Sequence, residues 1–312
     1  MTNLTRRALG ALLVSAPFAR AAAPVGQLRV GYQKIGALPL LKGRRVLEDA
    51  LAPQGVAVSW HEFPAGPPLL EALNGGAIDF GYTGDTPPIF AQAAGADLLY
   101  VASQPAPGQS SAILVRRTSP LRTLADLKGR TVAVTKGSSA HNVLVQALRH
   151  AGLTWRDIRP AYLSPSDAAA AFRRGAVDAW SIWDPFYAVA EQDPDTRVLT
   201  NAVGIAPSNQ FFLARRPVVQ AAPGIVTRVV DEIARATKWI ESNQDELVQV
   251  LSRETGVPEA AERVAAARGN YEVGFVTASV VAQQQAIADT FHDLGIIPQS
   301  IRVRDVVWIP AT

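Results

Sequence analysis

The chain alternates short apolar or β-branched runs with stretches in which apolar residues recur every three to four positions. The short runs predict strands at Leu28–Tyr32, Val56–His61, Ile78–Tyr82, Leu98–Ala102, Ala112–Arg116, Thr131–Thr135, Ala176–Ile182 and Phe211–Ala214. The longer stretches predict helices near Pro39–Ala52, Pro67–Asn74, Pro87–Ala94, Ala140–His150 and Ser166–Arg174. Alternation at this spacing implies an α/β protein with parallel sheets and helices on both faces. From about Pro217 only helical spacing remains, in Ile225–Ser242, Asp245–Arg253, Pro258–Arg268 and Ala278–Leu294. A helical tail of this kind must cover something built earlier.

One short unit occurs twice. Residues 76–85 read Gly-Ala-Ile-Asp-Phe-Gly-Tyr-Thr-Gly-Asp and residues 175–184 read Gly-Ala-Val-Asp-Ala-Trp-Ser-Ile-Trp-Asp, so Gly76/Gly175, Asp79/Asp178 and Asp85/Asp184 share one offset of 99 positions. Each copy ends in Asp followed by Pro within two residues, which reads as a strand turning into a new helix. Asp is then the N-cap, and Pro87 or Pro185 sits in the first turn, where a missing N–H costs nothing. Two such lobes would each aim a helix N-terminus at the space between them, the outline of an anion-binding cleft. Coincidence is the rival account, because Gly, Ala and Asp are common residues.

The N-terminus changes the reading of charge. Arg6 and Arg7 precede an apolar run to about Phe18, and Ala21-Ala22-Ala23 offers a small-residue cleavage site, so residues 1–23 are expected to be a cleaved signal peptide. Thr5-Arg6-Arg7-Ala8-Leu9 also matches a twin-arginine signal loosely; the general secretory route is the simpler reading. The whole chain carries 30 Lys and Arg against 27 Asp and Glu; without Arg6, Arg7 and Arg20 the balance is 27 to 27. No clustered basic face for nucleic acid is expected. There is no cysteine, which removes disulfides, thiol chemistry and lipidation near the signal. A soluble periplasmic protein, monomeric and without cofactor or metal, is the expectation. The remaining 289 of 312 residues suggest two lobes on length alone.

Two polar stretches, Ser103–Ser111 and Ala206–Gln210, read as crossings between lobes. They divide the chain into residues 24–109 with 208–312 as one discontinuous lobe and residues 110–207 as the other.

Enzyme motifs are missing: no G-x-S-x-G, G-x-G-x-x-G, phosphate-loop lysine or H-E-x-x-H sequence occurs, and the four histidines are scattered. Five polar turns at predicted strand ends remain, where open α/β sheets bind ligands. They are Gly31-Tyr32-Gln33-Lys34, Thr83-Gly84-Asp85, Gln109-Ser110-Ser111, Lys136-Gly137-Ser138-Ser139 and Trp183-Asp184-Pro185. Ordinary capping accounts for any one of them, Ser138, Ser139, Asp85 and Asp184 included. Together they offer neutral donors and close backbone approach without a single Arg, which suits a compact anion better than a phosphate or dicarboxylate. Trp180, Trp183, Phe186 and Tyr82 would supply apolar wall, or else belong to the core.

Leu28-Arg-Val-Gly-Tyr-Gln-Lys34, the Gly81-Tyr-Thr-Gly-Asp-Thr-Pro-Pro88 turn, the segment from Asp126 to Asn142 and Val177-Asp-Ala-Trp-Ser-Ile-Trp-Asp-Pro-Phe186 closely resemble the periplasmic binding components of aliphatic sulfonate ABC transporters. The resemblance spans about residues 27–308. It implies the two-lobed type II periplasmic binding protein fold, with a ligand cleft between lobes joined by two crossings. It also implies that an alkanesulfonate is captured and handed to a membrane permease with its ATPase. Carried over residue by residue, it places the ligand among Gln33, Thr83, Gly84, Asp85, Ser110, Ser111, Gly137, Ser138, Ser139, His141, Trp183 and Asp184. The wider group includes taurine and nitrate receptors, which stay open, as does a cofactor-biosynthetic enzyme on the same fold. That last reading would need a metal or a reactive Cys/His cluster.

Overall fold

A computed structural model describes residues 25–206 and 208–310. The expected signal peptide, residues 1–23, lies outside the described residues. Ten strands form two sheets: β1 (Gln27–Tyr32), β2 (Ala57–Glu62), β3 (Phe80–Thr83), β4 (Leu98–Ala106), β5 (Ser111–Arg116), β6 (Thr131–Val134), β7 (Arg159–Tyr162), β8 (Ala179–Trp183), β9 (Thr196–Asn201) and β10 (Ser208–Arg215). One sheet has the order β2-β1-β3-β10-β4 and the other β7-β6-β8-β5-β9. The two orders are one arrangement used twice, with the repeat strands β3 and β8 at each centre.

The sheets are mixed rather than parallel. In each, three strands run parallel (β2, β1, β3 and β7, β6, β8), while β10 and β5 run against both their neighbours. The reason is the double crossing. The first strand after each crossing starts at the end where the repeat strand finishes, so Ser111 pairs with Trp183 and Phe211 with Thr83. The pattern of apolar runs does not reveal β7 and β9 because both are edge strands with half-exposed residues. β7 also carries Pro160, which an edge tolerates.

The helices are α1 (Leu38–Gly43), α2 (Val46–Leu51), α3 (Gly66–Asn74), α4 (Thr86–Ala93), α5 (Ser139–His150), α6 (Pro165–Arg173), α7 (Phe186–Glu191), α8 (Arg216–Ala221), α9 (Pro223–Ile240), α10 (Gln244–Thr255), α11 (Glu259–Arg268) and α12 (Ala278–Asp293). The single helix expected over Pro39–Ala52 is two, broken where Arg45 takes a left-handed φ of 55°. The tail covers the first sheet: Val226, Val229, Val230 and Ile233 of α9 and Ile287, Ala288 and Phe291 of α12 share one core with β1, β3, β4 and β10. The second sheet has a core of its own. Among the described residues no helix is long and apolar enough to cross a membrane.

The two connections between sheets lie side by side. β4 runs on to Ala106, so the first crossing is shorter than Ser103–Ser111 and consists of Pro107 and the helical turn Gly108–Ser110. On the return, the Ala202 N–H donates to the carbonyls of Gly108 and Ser111 at 3.0 and 3.1 Å. A Cβ on Gly108 would stand 2.6 Å from the Ala202 and Val203 backbone, so only glycine permits this approach.

Candidate functional site

The repeated aspartates set the strand ends that face the cleft. Asp79 Oδ2 accepts the Arg29 N–H at 3.0 Å, and Asp178 Oδ2 accepts the Thr131 N–H at 2.8 Å, each clamping a repeat strand to its parallel neighbour. Gly76 and Gly175 both have φ +74°, and beside them lie the guanidinium groups of Arg215 and Arg116, at the ends of β10 and β5. Buried Asp79 is further paired with Arg29 Nη2 at 2.6 Å. These carboxylates are structural, and they fix where Thr83 and Trp183 emerge.

Between the sheets lies a cavity lined entirely by uncharged residues. Eight of the twelve expected positions line it: Gln33, Thr83, Gly84, Ser110, Ser111, Ser138, Ser139 and Trp183. The first sheet contributes buried Thr83, whose Oγ1 has no hydrogen-bond partner. From the second side, α5 brings Ser138 and Ser139. Ser138 is the N-cap, yet its hydroxyl donates to the Thr135 carbonyl at 2.7 Å, so no side chain caps the helix. The N–H groups of Ser139 and Ala140 consequently have no acceptor among the described residues. Unpaired donors at the positive end of a twelve-residue helix are a place for an anion. Gln33 is oriented by its own Nε2, which donates to the Tyr82 carbonyl at 3.0 Å.

Four expected positions lie outside this cavity. His141 is fully buried, its ring within 4.6 to 6.1 Å of Trp155, Phe291, Tyr162 and Phe90, and its Nδ1 accepts the Gly137 N–H at 3.2 Å. Burial, helped by the Lys136 charge, pushes this imidazole down to about 3. Gly137 faces the Phe90 ring instead of the cavity. The Asp85 carboxylate is spent on Thr86, whose N–H it accepts at 2.6 Å, and on Asn142 of α5 at 2.8 Å. Asp184 lines a neighbouring space, and its Oδ1 accepts the Ala188 N–H at 3.0 Å.

The helices that follow the repeated Asp residues also differ from expectation. In α4 the Thr86 N–H is taken by Asp85, and Pro87 and Pro88 have no N–H at all. α7 has six residues and begins after Pro185. The free donors come instead from α5, which the echo did not mark. Gly66 also lines the cavity without a sequence signal of its own, and Gly108, Ser208 and Gln210 reach it from the stretches read as crossings. Of the expected aromatic wall, Tyr82 and Trp183 are present, while Trp180 is in the second core. Among the described residues no group of acidic, histidine or cysteine side chains could hold a metal ion.

Residues 3–252 match the NMT1-like family. The chain is 43% identical to the aliphatic sulfonates-binding protein of Escherichia coli (strain K12) over 99% of its own length and 98% of that protein. Among solved structures it is similar to the periplasmic aliphatic sulphonate binding protein SsuA from Escherichia coli, with TM-score 0.84, 42% identity, and coverage of 92% of this chain and 93% of that one. The alkanesulfonate-binding protein SsuA from Xanthomonas axonopodis pv. citri, bound to MOPS, gives TM-score 0.86, 43% identity, and coverage of 92% and 99%. With matches of this extent on top of a doubled sheet and a neutral cleft, the chain belongs to the NMT1-like family and, within it, to the aliphatic sulfonate-binding proteins.

Proposed function

We propose that this protein is the periplasmic receptor of an ABC importer, which captures an alkanesulfonate in the neutral cavity and delivers it to a membrane permease driven by an ATPase. It binds and makes no covalent change. The observation that carries the reading is the lining: hydroxyls from both sides and the free N–H groups of Ser139 and Ala140, with no charged side chain among them. A sulfonate has three acceptor oxygens and one permanent charge. Neutral donors match it without a counter-ion, whereas phosphate usually recruits Arg. The relatives whose names include sulfonate binding support the same ligand class.

In this reading the sulfonate oxygens are held by Thr83, Ser138, Ser139 and the head of α5, with Gln33, Gly84, Ser110 and Ser111 closing the sides and Trp183 against the alkyl chain. The lobes are residues 24–109 with 208–312 and residues 110–207, and ligand contacts to both favour the closed arrangement. Calorimetric titration with butanesulfonate, pentanoate, sulfate, nitrate and taurine tests it. Butanesulfonate is expected to bind and pentanoate to bind at least about 10-fold more weakly, as for a site deprived of one hydrogen-bond acceptor. Equal binding of the carboxylate, or tighter binding of nitrate, would overturn the sulfonate assignment.

A further inference from the structure

Of the ion pairs among the described residues, only two join the part of the chain that carries the first sheet to the part that carries the second, and Arg268 makes both. Arg268 is the last residue of α11. Its Nη2 donates to Glu191 Oε1 at 2.5 Å and its Nη1 to Asp184 Oδ1 at 3.4 Å, while the guanidinium carbon lies 4.1 Å from the centre of the Tyr187 ring. All three partners sit on α7 or in the turn before it.

The base of this side chain is fixed to the first sheet. Gln104 of β4, itself buried, donates to the Asn270 carbonyl, and the Tyr271 hydroxyl donates to the Ala266 carbonyl at 3.3 Å. Beside it, Val257 and Ala261 pack on Ala188 of α7 in a small apolar seam separate from both sheet cores. The Arg268 side chain is 19% exposed and that of Glu191 23%, so water and salt screen the pair less than they would at the open surface. A cation in the last turn of a helix has an ordinary use, since it complements the helix dipole. That use needs no partner on another helix. Arg268 instead crosses to α7, and it lines neither the neutral cavity nor the neighbouring space.

We infer that Arg268 is the bolt of the cleft, a positioning residue that touches no ligand and sets how long the closed protein keeps one. It deepens the sulfonate reading and rests on it, because closure over the ligand is part of that reading. When the two lobes part, α11 leaves α7, and Arg268 loses Glu191, Asp184 and Tyr187 together. The bolt therefore lowers the closed form and not the open one. Opening has to break it, whereas closing gains it only at the end, so it acts on release and hardly on capture.

Stopped-flow tryptophan fluorescence with butanesulfonate tests this, with Trp183 in the cavity wall as reporter. Arg268→Gln is expected to speed dissociation by about 10-fold or more and to change association by less than about 2-fold. Glu191→Gln, at the other end of the pair, should also speed release. In the double variant release should be no faster than in Arg268→Gln, because the second change finds no partner left to remove. A merely structural role for Arg268 would not divide the two rates in this way. Unchanged release in both single variants, effects that multiply in the double variant, or a loss that falls equally on association overturns the proposal. If Arg268→Gln fails to fold, Glu191→Gln decides alone, and unchanged release there is enough to overturn it. Wild-type binding of butanesulfonate with unchanged release in the variants would remove the bolt and leave the sulfonate reading standing; no binding by the wild-type protein would remove both.

Discussion

Asn142 Nδ2 donates to Asp85 Oδ2 at 2.8 Å, so an amide on α5 and the carboxylate at the head of α4 are joined across the cleft between the two sheets. The other Asp85 oxygen holds the Thr86 N–H and hydroxyl at 2.6 and 2.8 Å. Burial raises this carboxyl and the bonds from Thr86 and Asn142 lower it, which leaves the group engaged with structure instead of ligand. Asn142→Ala would leave Oδ2 buried and unpaired at a cost of about 1–3 kcal/mol to the closed form. Weaker butanesulfonate binding and a more expanded unliganded form by small-angle scattering are expected; unchanged affinity and melting temperature would count against the latch.

Gly84 stands directly against Ser139, and a Cβ at this position would overlap the Ser139 hydroxyl. Gly84→Ala should therefore wedge the two sides apart and weaken butanesulfonate binding by about 10-fold or more, the cost of overpacking a filled contact. Adding Ser139→Gly to Gly84→Ala removes the clash, so the unliganded double variant should regain compactness by small-angle scattering, while its affinity stays low for want of the Ser139 hydroxyl. If relief does not appear, the close approach is not what Gly84 provides.

The Thr83 hydroxyl lines the cavity without a partner. Thr83→Val keeps its shape and removes the donor, and Ser139→Ala does the same at the head of α5. Each should cost about 1–3 kcal/mol of binding to a charged group, with little change in the melting temperature of the unliganded protein for Thr83→Val and some loss for Ser139→Ala, whose hydroxyl also bonds the buried Asp85 carboxylate. Dissociation constants unchanged in both variants would sink the placement of the sulfonate.

His141 carries a pH prediction about stability and none about affinity. Its folded value is lowered to about 3, against 6.5 unperturbed. The unfolded chain therefore binds the extra proton first as pH falls. Stability is fully present above the unfolded value and is lost between about pH 6.5 and 3, by up to about 1.4 kcal/mol per unit. His141→Gln should flatten that part of a melting-temperature profile. Butanesulfonate affinity should not rise toward acid, since the ring lies outside the cavity.

The sequence carried most of the central strands and the turns at their ends because buried strands read as apolar runs. The edges did not show: β7 and β9 are half exposed, and Pro160 speaks against a strand unless its edge position is known. The echo between Asp79 and Asp178 was visible, but not that both carboxylates accept a backbone N–H of the neighbouring strand. His141 and Ser138 stand three residues apart on one short segment, and the reading could not separate them. What separates them is Phe291, from the far end of the chain, whose ring helps to close an aromatic box around the imidazole. Ser208 and Gln210 reach the cavity because β10 starts at the cleft, a fact of sheet direction that local pattern does not record.

The pairing of Gly108 with Ala202 has a kinetic meaning. Two crossings bonded to one another at 3.0 Å bend as a single ribbon, so both sides of the cleft must part together and no ligand can slip out past one intact strand. Uptake and escape then share one barrier. A change to this ribbon that leaves the balance of open and closed forms untouched should speed or slow both rates in step, which makes residence time adjustable independently of selectivity.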